Sequence, residues 1–355
     1  GLRHNFGSSS TVPVDSLRNK AWVEAHGHTP SIMDYARFNY VAQPEDNISR
    51  AGIFPRINDY DEWAIRWGYT YLPDAKDEDD DHRLMEEMTA KSQENPRLWW
   101  GDGETSLGRL DPRCQTEDLG DDAMKASTYG IQNLKYEISR LPEWTSDDPK
   151  DIYGDALERM YQQIRGQFLR YCGHVTRNIG GVLYTYRTKE QPGDKYVPQP
   201  LEKQKAALKF MDEQVLHEPM WLRDMSYAQR FTANPEELTQ GVGTAAMRML
   251  MDRLDVKNET YTPQAYLTDL TRLVFSEART GEKVSNYRKN LQSQMLEHLL
   301  RANGNSNAYI QPAVLYTLQQ LQQLTKQAKQ SARDAESRAH WALLYDQIGR
   351  RLTWK

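Results

Sequence analysis

The chain of 355 residues contains two cysteines, Cys114 and Cys172. Two thiols are too few for a disulfide framework or a cysteine-cluster zinc site. One bridge or two free buried thiols both stay open. No stretch approaches the roughly 18 consecutive apolar residues of a membrane-spanning helix. Hydrophobic residues make up 38% and mean hydropathy is −0.83, so amphipathic segments are expected rather than uniformly apolar ones. An excess of one charge is also missing, since 45 Lys plus Arg stand against 50 Asp plus Glu, a net −5. That near balance offers no electrostatic footprint for nucleic acid or an anionic membrane. The opening Gly1-Leu2-Arg3-His4-Asn5-Phe6 has no initiator Met, basic n-region or apolar h-region. A precursor carrying its own signal peptide is therefore not expected. No repeat of fixed period supports a solenoid.

The length allows two compact domains, or one large domain with an extension. Residues 1–72 are rich in Gly, Ser, Pro and aromatics, with little helical periodicity before Asp59. From Asp59 to Tyr69, the acids Asp59, Asp61 and Glu62 precede Trp63, Ile65 and Trp67, which suits a short helix with a negative first turn. Residues 73–150 read as an acidic, loop-rich connecting region with helices. It holds a charged run leading to Leu84, Met85 and Met88, a Gly-rich loop at Trp99-Trp100-Gly101-Asp102-Gly103, and a helix from about Asp121 to Arg140. Pro142 to Pro149 forms the best linker candidate. Beyond residue 151 the chain reads as a helical extension. Leu157, Met160, Tyr161, Ile164 and Phe168 recur at three- and four-residue spacing, and similar periodicity returns in later segments up to Leu352. Gly181–Tyr186 and Lys195–Val197, joined through Gln191-Pro192-Gly193-Asp194, predict one β-hairpin. The expected fold class is mainly α with that hairpin.

Gly1-x-x-His4 is a weak motif alone, but Ser31-Ile32-Met33-Asp34-Tyr35 follows it by a few tens of residues. Asp59-Tyr60-Asp61-Glu62-Trp63-Ala64-Ile65-Arg66-Trp67-Gly68-Tyr69 comes next. In order and approximate spacing these segments resemble the third-ligand motif, Met-turn and closing helix of the metzincin zinc peptidases. There, H-E-x-x-H-x-x-G-x-x-H places two His on one helix face with a Glu base between them. A Gly then turns the backbone so that a third His reaches the metal. The resemblance implies that Gly1 is that motif Gly, His4 the third zinc ligand, Met33 the Met-turn residue, and Tyr35 the residue that astacin- and serralysin-type enzymes use to steady the tetrahedral intermediate.

The resemblance is strongest over residues 1–69, and the whole chain looks more loosely like the C-terminal region of large bacterial exported metallopeptidases. It implies a C-terminal subdomain of a metzincin-like catalytic domain over 1–72, zinc as cofactor of the complete parent protein, a protein or peptide substrate, and a periplasmic or extracellular location. No H-E-x-x-H occurs in the chain, so two ligands and the general base are expected upstream. The chain alone is then expected neither to hold zinc tightly nor to cleave peptides. A rival class is a non-catalytic helical interaction module on a degenerate metzincin-like scaffold. A third is a paired-carboxylate hydrolase using Asp118 and Asp121.

Other tempting residues have plainer readings. His26 and His28 read as hydrogen-bonded loop histidines. Asp77–Asp81 reads as a solvated helix start, since it lacks the spacing and central Gly of a calcium loop. Asp111, Glu117, Asp118, Asp121 and Asp122 read as capping and hydrogen-bonding acids, with calcium as the alternative. Cys172 and His174 face apart on regular structure. His217, His298 and His340 lack partner spacing, and Met249, Met251, Met295 and Leu318 read as core.

Overall fold

The computed structural model describes residues 2–353 except 93, 107, 148, 188, 190, 257, 305 and 306. The chain forms two compact units, one of residues 1–137 with 181–199, the other of residues 138–180 with 200–355. The sequence boundaries at 72 and 150 follow changes of composition; the boundary between the compact units falls inside a continuous helix.

The first unit is built from short helices joined by long irregular segments. Helices α1 (Val14–Leu17), α2 (Lys20–His26) and α3 (Arg50–Ile53) come first. They are too short to show helical periodicity, so tertiary packing has to hold them. Val12, Val14, Leu17, Val23, Ala36, Val41, Leu119 and Ala126 form their core, flanked by Trp22, Tyr40, Ile48 and Tyr129. Asn39 ties two segments together by donating to the carbonyls of Leu17, at 2.9 Å, and Gly52, at 3.1 Å. Helix α4 (Asp59–Tyr69) starts at a capping box in which Asn58 and Asp61 satisfy each other's orphan amides. Helix α5 (Glu78–Ser92) opens on four acids, favourable at the positive end of the helix dipole. Helix α6 (Ala123–Trp144) follows.

Strands β1 (Val182–Tyr184) and β2 (Tyr196–Pro198) pair antiparallel, Leu183 opposite Val197. This is the hairpin expected from the sequence. Its place in the first unit has a physical cause: the Asp111 carboxylate accepts the Tyr184 amide at 2.7 Å, and the Tyr186 hydroxyl donates to Asp102 at 3.1 Å.

The second unit is helical: α7 (Asp155–Thr176), α8 (Leu201–Met211), α9 (Glu236–Asp252), α10 (Pro263–Val274), α11 (Glu277–Thr280), α12 (Asn286–Ala302), α13 (Gln311–Ser331) and α14 (Ala335–Thr353). Pairs α13–α14 and α9–α12 pack along much of their lengths. Tyr161, Phe168, Met211, Met247, Leu291, Met295, Leu318 and Trp341 are fully enclosed. Gly243 of α9 admits the Tyr287 ring, which would lie 2.9 Å from a Cβ there. Within the core, Arg288 pairs with Glu277 and donates to the carbonyls of Leu216, Leu273 and Val274. The last carbonyls of α10 are thus met by a buried guanidinium. The fold is mainly α, as the periodicity implied.

One local difference from expectation concerns Pro142. The sequence pattern predicts a linker starting there, yet α6 continues through it to Trp144. Proline removes the amide that would bond the Ile138 carbonyl. The Tyr227 hydroxyl donates to that carbonyl instead, so the helix survives. Tyr227→Phe is expected to destabilise the second unit by about 1–3 kcal/mol, because the Ile138 carbonyl loses its partner. In a Pro142→Ala background the restored amide takes that role, and the same substitution should cost clearly less. A urea-unfolding double-mutant cycle measures the difference; equal costs in both backgrounds would show that the hydroxyl does not stand in for the amide.

Candidate functional site

The segment Pro30–Tyr35 is a turn without regular backbone pairing, so its polar groups need side-chain partners. Asp61, in the first turn of α4, supplies most of them. One carboxylate oxygen accepts the Ser31 hydroxyl at 2.7 Å, and the other accepts the Ile32 amide at 2.8 Å and the Asn58 amide at 3.0 Å. The Tyr60 amide bonds the Pro30 carbonyl at 3.0 Å, and the Ser31 hydroxyl accepts the Met33 amide at 3.0 Å. The same acid therefore starts the helix and holds the turn.

Asp34 fastens the turn from the other side. It is buried, and one of its oxygens accepts the Ser9 amide and the Thr29 hydroxyl. Its other oxygen is enclosed without a hydrogen-bond partner. Burial first, and then the nearby Asp118, push its carboxyl well above the usual range. The Tyr35 carbonyl accepts the Glu117 amide at 2.8 Å, and Glu117 pairs with Arg37 at 2.7 Å.

His4 meets this turn. The Asn5 amide donates to the Met33 carbonyl at 3.1 Å, and the His4 ring lies 4.5 Å from the Tyr35 ring, centroid to centroid. Phe6 closes the group, 5.2 Å from Tyr35. The structure thus brings His4, Met33 and Tyr35 together. Gly1 lies outside the described residues.

The loop Trp99–Thr105 wraps the His4 segment. The Asn5 side chain donates to the Trp99 carbonyl and accepts the Gly101 amide, both at 2.9 Å. The Trp100 indole donates to the His4 carbonyl at 3.0 Å. Gly7 has to be glycine, because a Cβ there would lie 2.2 Å from the Trp99 ring. Arg3 binds Glu104 at 3.0 Å and the buried Asp102 at 3.2 Å. Glu104 also stands 3.4 Å from His4 Nδ1. Its hydrogen bond from Arg3, and then that from His4, hold its carboxyl below the usual range. Sequence reasoning identifies the Gly-rich loop but misses Arg3, Asp102 and Glu104. Their signal is the run of Gly, Asp and Glu around two tryptophans, which tells of a tight loop but not of the segment it embraces.

A cavity of about 380 Å³ has Leu2, Arg3, Met33, Trp63, Trp67 and Trp100 among its lining residues. The remaining sequence candidates lie elsewhere. His26 ends α2, stacks on Trp22 at 4.7 Å and bonds that residue's carbonyl. His28 is buried with Nε2 at the Arg37 carbonyl, and burial pushes its imidazole down to about 4. Asp121 accepts the Val14 amide, while Asp122 accepts the Met124 and Lys125 amides at the start of α6. Cys114 and Cys172 are both free and buried. Among the described residues, no three His, Cys, Asp or Glu side chains converge to hold a metal ion.

A family model described as Met-zincin matches residues 1–282. The chain belongs to the Met-zincin family. No curated protein and no solved structure matches it. The Met-zincin match runs well past the residue-69 limit of the recognisable motifs, through the hairpin and into the helical unit as far as Glu282. Membership brings a zinc metallopeptidase-like scaffold and, for the family, zinc. Fit can be judged from the donors. The His4 imidazole, with Nδ1 turned toward a carboxylate, suits one ligand position of such a site. Among the described residues no group of three His, Cys, Asp or Glu forms around it that could hold a metal ion.

Two outcomes follow for this Met-zincin chain. Gly7→Ala is expected to cost about 1–3 kcal/mol by driving a methyl into Trp99, measured as a fall in the urea midpoint of unfolding. Asp34 holds its proton more tightly folded than unfolded, so its contribution to stability is greatest in acid and is lost as pH rises through its raised value. Asp34→Asn removes that dependence while keeping an acceptor for Ser9 and Thr29. Its stability relative to the parent should therefore increase from acid to neutral pH in a series of urea titrations. A pH-independent difference would contradict the raised carboxyl.

Proposed function

We propose that this chain supplies the third imidazole and the Met-turn of a metzincin-type zinc site, and that the whole protein hydrolyses peptide bonds. The observation that carries this reading is the meeting of His4, Met33 and Tyr35 in one cluster of a Met-zincin chain. In it, His4 is the ligand contributed by this chain. The remaining ligands and the general base belong to an H-E-x-x-H helix upstream of the motif glycine, Gly1. Zinc, when bound, polarises the scissile carbonyl and activates water.

This chain's own residues hold and shape. The bond between the Asn5 amide and the Met33 carbonyl ties the segment carrying His4 to the turn. The half-exposed Tyr35 stands against the His4 ring, where its hydroxyl can donate to the developing oxyanion once it turns toward substrate. The substrate class is protein or peptide, and export to the periplasm or the cell exterior is the family's usual setting. By itself the chain, with one of the three proposed ligands, is proposed to be inactive and to hold no zinc tightly.

The experiment compares this chain with the protein extended upstream through H-E-x-x-H. The extended protein should retain one zinc after dialysis against a weak chelator and cleave casein, whereas this chain should do neither. His4→Ala in the extended protein should release the metal. Tyr35→Phe should keep the metal and lower kcat by about 100-fold. Retention of zinc by His4→Ala would remove His4 from the ligand set.

A further inference from the structure

We propose that Glu104 is a positioning residue that fixes the His4 imidazole as the Nδ1–H tautomer and leaves Nε2 open toward the metal position. This rests on the reading of His4 as a ligand, and it adds a residue from a different segment of the chain, 100 positions away.

The geometry begins with His4 Nδ1, 3.4 Å from Oε1 of Glu104. The backbone of His4 is held independently by the Trp100 indole on its carbonyl, and its ring leans on Tyr35 at 4.5 Å. On this held backbone, Nδ1 faces the carboxylate.

Glu104 is held in turn. Arg3 binds its second oxygen at 3.0 Å, and Arg3 is fastened by Asp102 at 3.2 Å and by the Trp100 ring, 4.9 Å from the guanidinium carbon. Asp102 is buried and fully engaged, accepting the Thr105 hydroxyl at 2.6 Å, the Glu104 amide at 2.9 Å and the Tyr186 hydroxyl at 3.1 Å. The chain of contacts runs from a buried acid through Arg3 to the carboxylate facing His4.

The chemistry then follows from proton inventory. A neutral imidazole has one N–H and one lone pair, whereas an ionised carboxylate can only accept. A carboxylate opposite Nδ1 selects the form with the hydrogen there, so the Nε2 lone pair is free for a ligand. Metal-binding histidines regularly use such a carboxylate to fix tautomer and ring orientation. A purely structural role for the pair is weakly supported by its surroundings. The Arg3 and Glu104 side chains are 48% and 45% exposed, and ion pairs in that setting add about 0–1 kcal/mol.

The test begins on this chain without metal. Long-range ¹H–¹⁵N correlation at a pH where the ring is neutral, assigned with His4→Gln, should show His4 mainly as the Nδ1–H tautomer. Glu104→Ala should move the balance toward Nε2–H, and Arg3→Met should move it part of the way. Circular dichroism and the urea midpoint of Glu104→Ala should match the parent, which keeps the result free of unfolding. In the protein extended upstream through H-E-x-x-H, Glu104→Ala should weaken zinc about 10- to 100-fold, with Glu104→Asp recovering part of the loss. A tautomer balance unchanged in Glu104→Ala overturns the proposal. Full zinc retention by His4→Ala overturns the ligand reading instead, and the tautomer measurement still decides what Glu104 does.

Discussion

The first unit depends on buried carboxylates doing what regular backbone pairing does elsewhere. Asp61 holds the Ser31 hydroxyl and the amides of Ile32 and Asn58, while Asp34 holds Ser9 and Thr29. A loop-rich segment of this length would otherwise bury amides and hydroxyls with no partner, each at a cost of about 1–3 kcal/mol. The acids make the turn around Met33 a fixed object. The cost of enclosing charge is visible at Asp34, whose carboxyl is pushed toward its protonated form.

A fixed turn gives the His4 segment something to dock on. One backbone bond from Asn5 to Met33 and the tilted ring contact of His4 with Tyr35 register the two segments. The loop from Trp99 to Thr105 then closes over the other side, with Gly101 pressed against Cys114 and Gly7, and Gly103 against Phe6, where no side chain fits. The candidate site is therefore assembled from three separated stretches, and its rigidity comes from side-chain bonds to backbone more than from helices. The second unit solves the same problem differently, with long amphipathic helices and a buried guanidinium that meets the carbonyls at the end of α10.

Much of this is legible in the amino-acid sequence alone. The acidic start of α4, the hairpin at Gly181–Val197 and the helical second half all follow from short-range signals of capping, alternation and period. The segments holding His4, Met33 and Tyr35 can be picked out because the resemblance that points to them rests on local patterns. Whatever is set by partners far along the chain stays hidden. Pro142 looks like a helix end because the sequence cannot show Tyr227 waiting at the Ile138 carbonyl. The short helices α1 to α3 lack periodicity, and packing alone sustains them. Glu104 looks like one acid among many in a loop.

The sequence by itself determined the secondary-structure character of most segments, because that depends on neighbours a few positions away. It also excluded a cysteine cluster and fixed the even balance of charge, while the structure shows both thiols free and buried. Only the tertiary structure decided which acids are buried and which carboxylate faces His4. It also decided that the hairpin belongs with the first unit. Those choices depend on desolvation and on hydrogen bonds between residues up to about a hundred positions apart, and a carboxylate takes its role from whatever donor the fold brings against it.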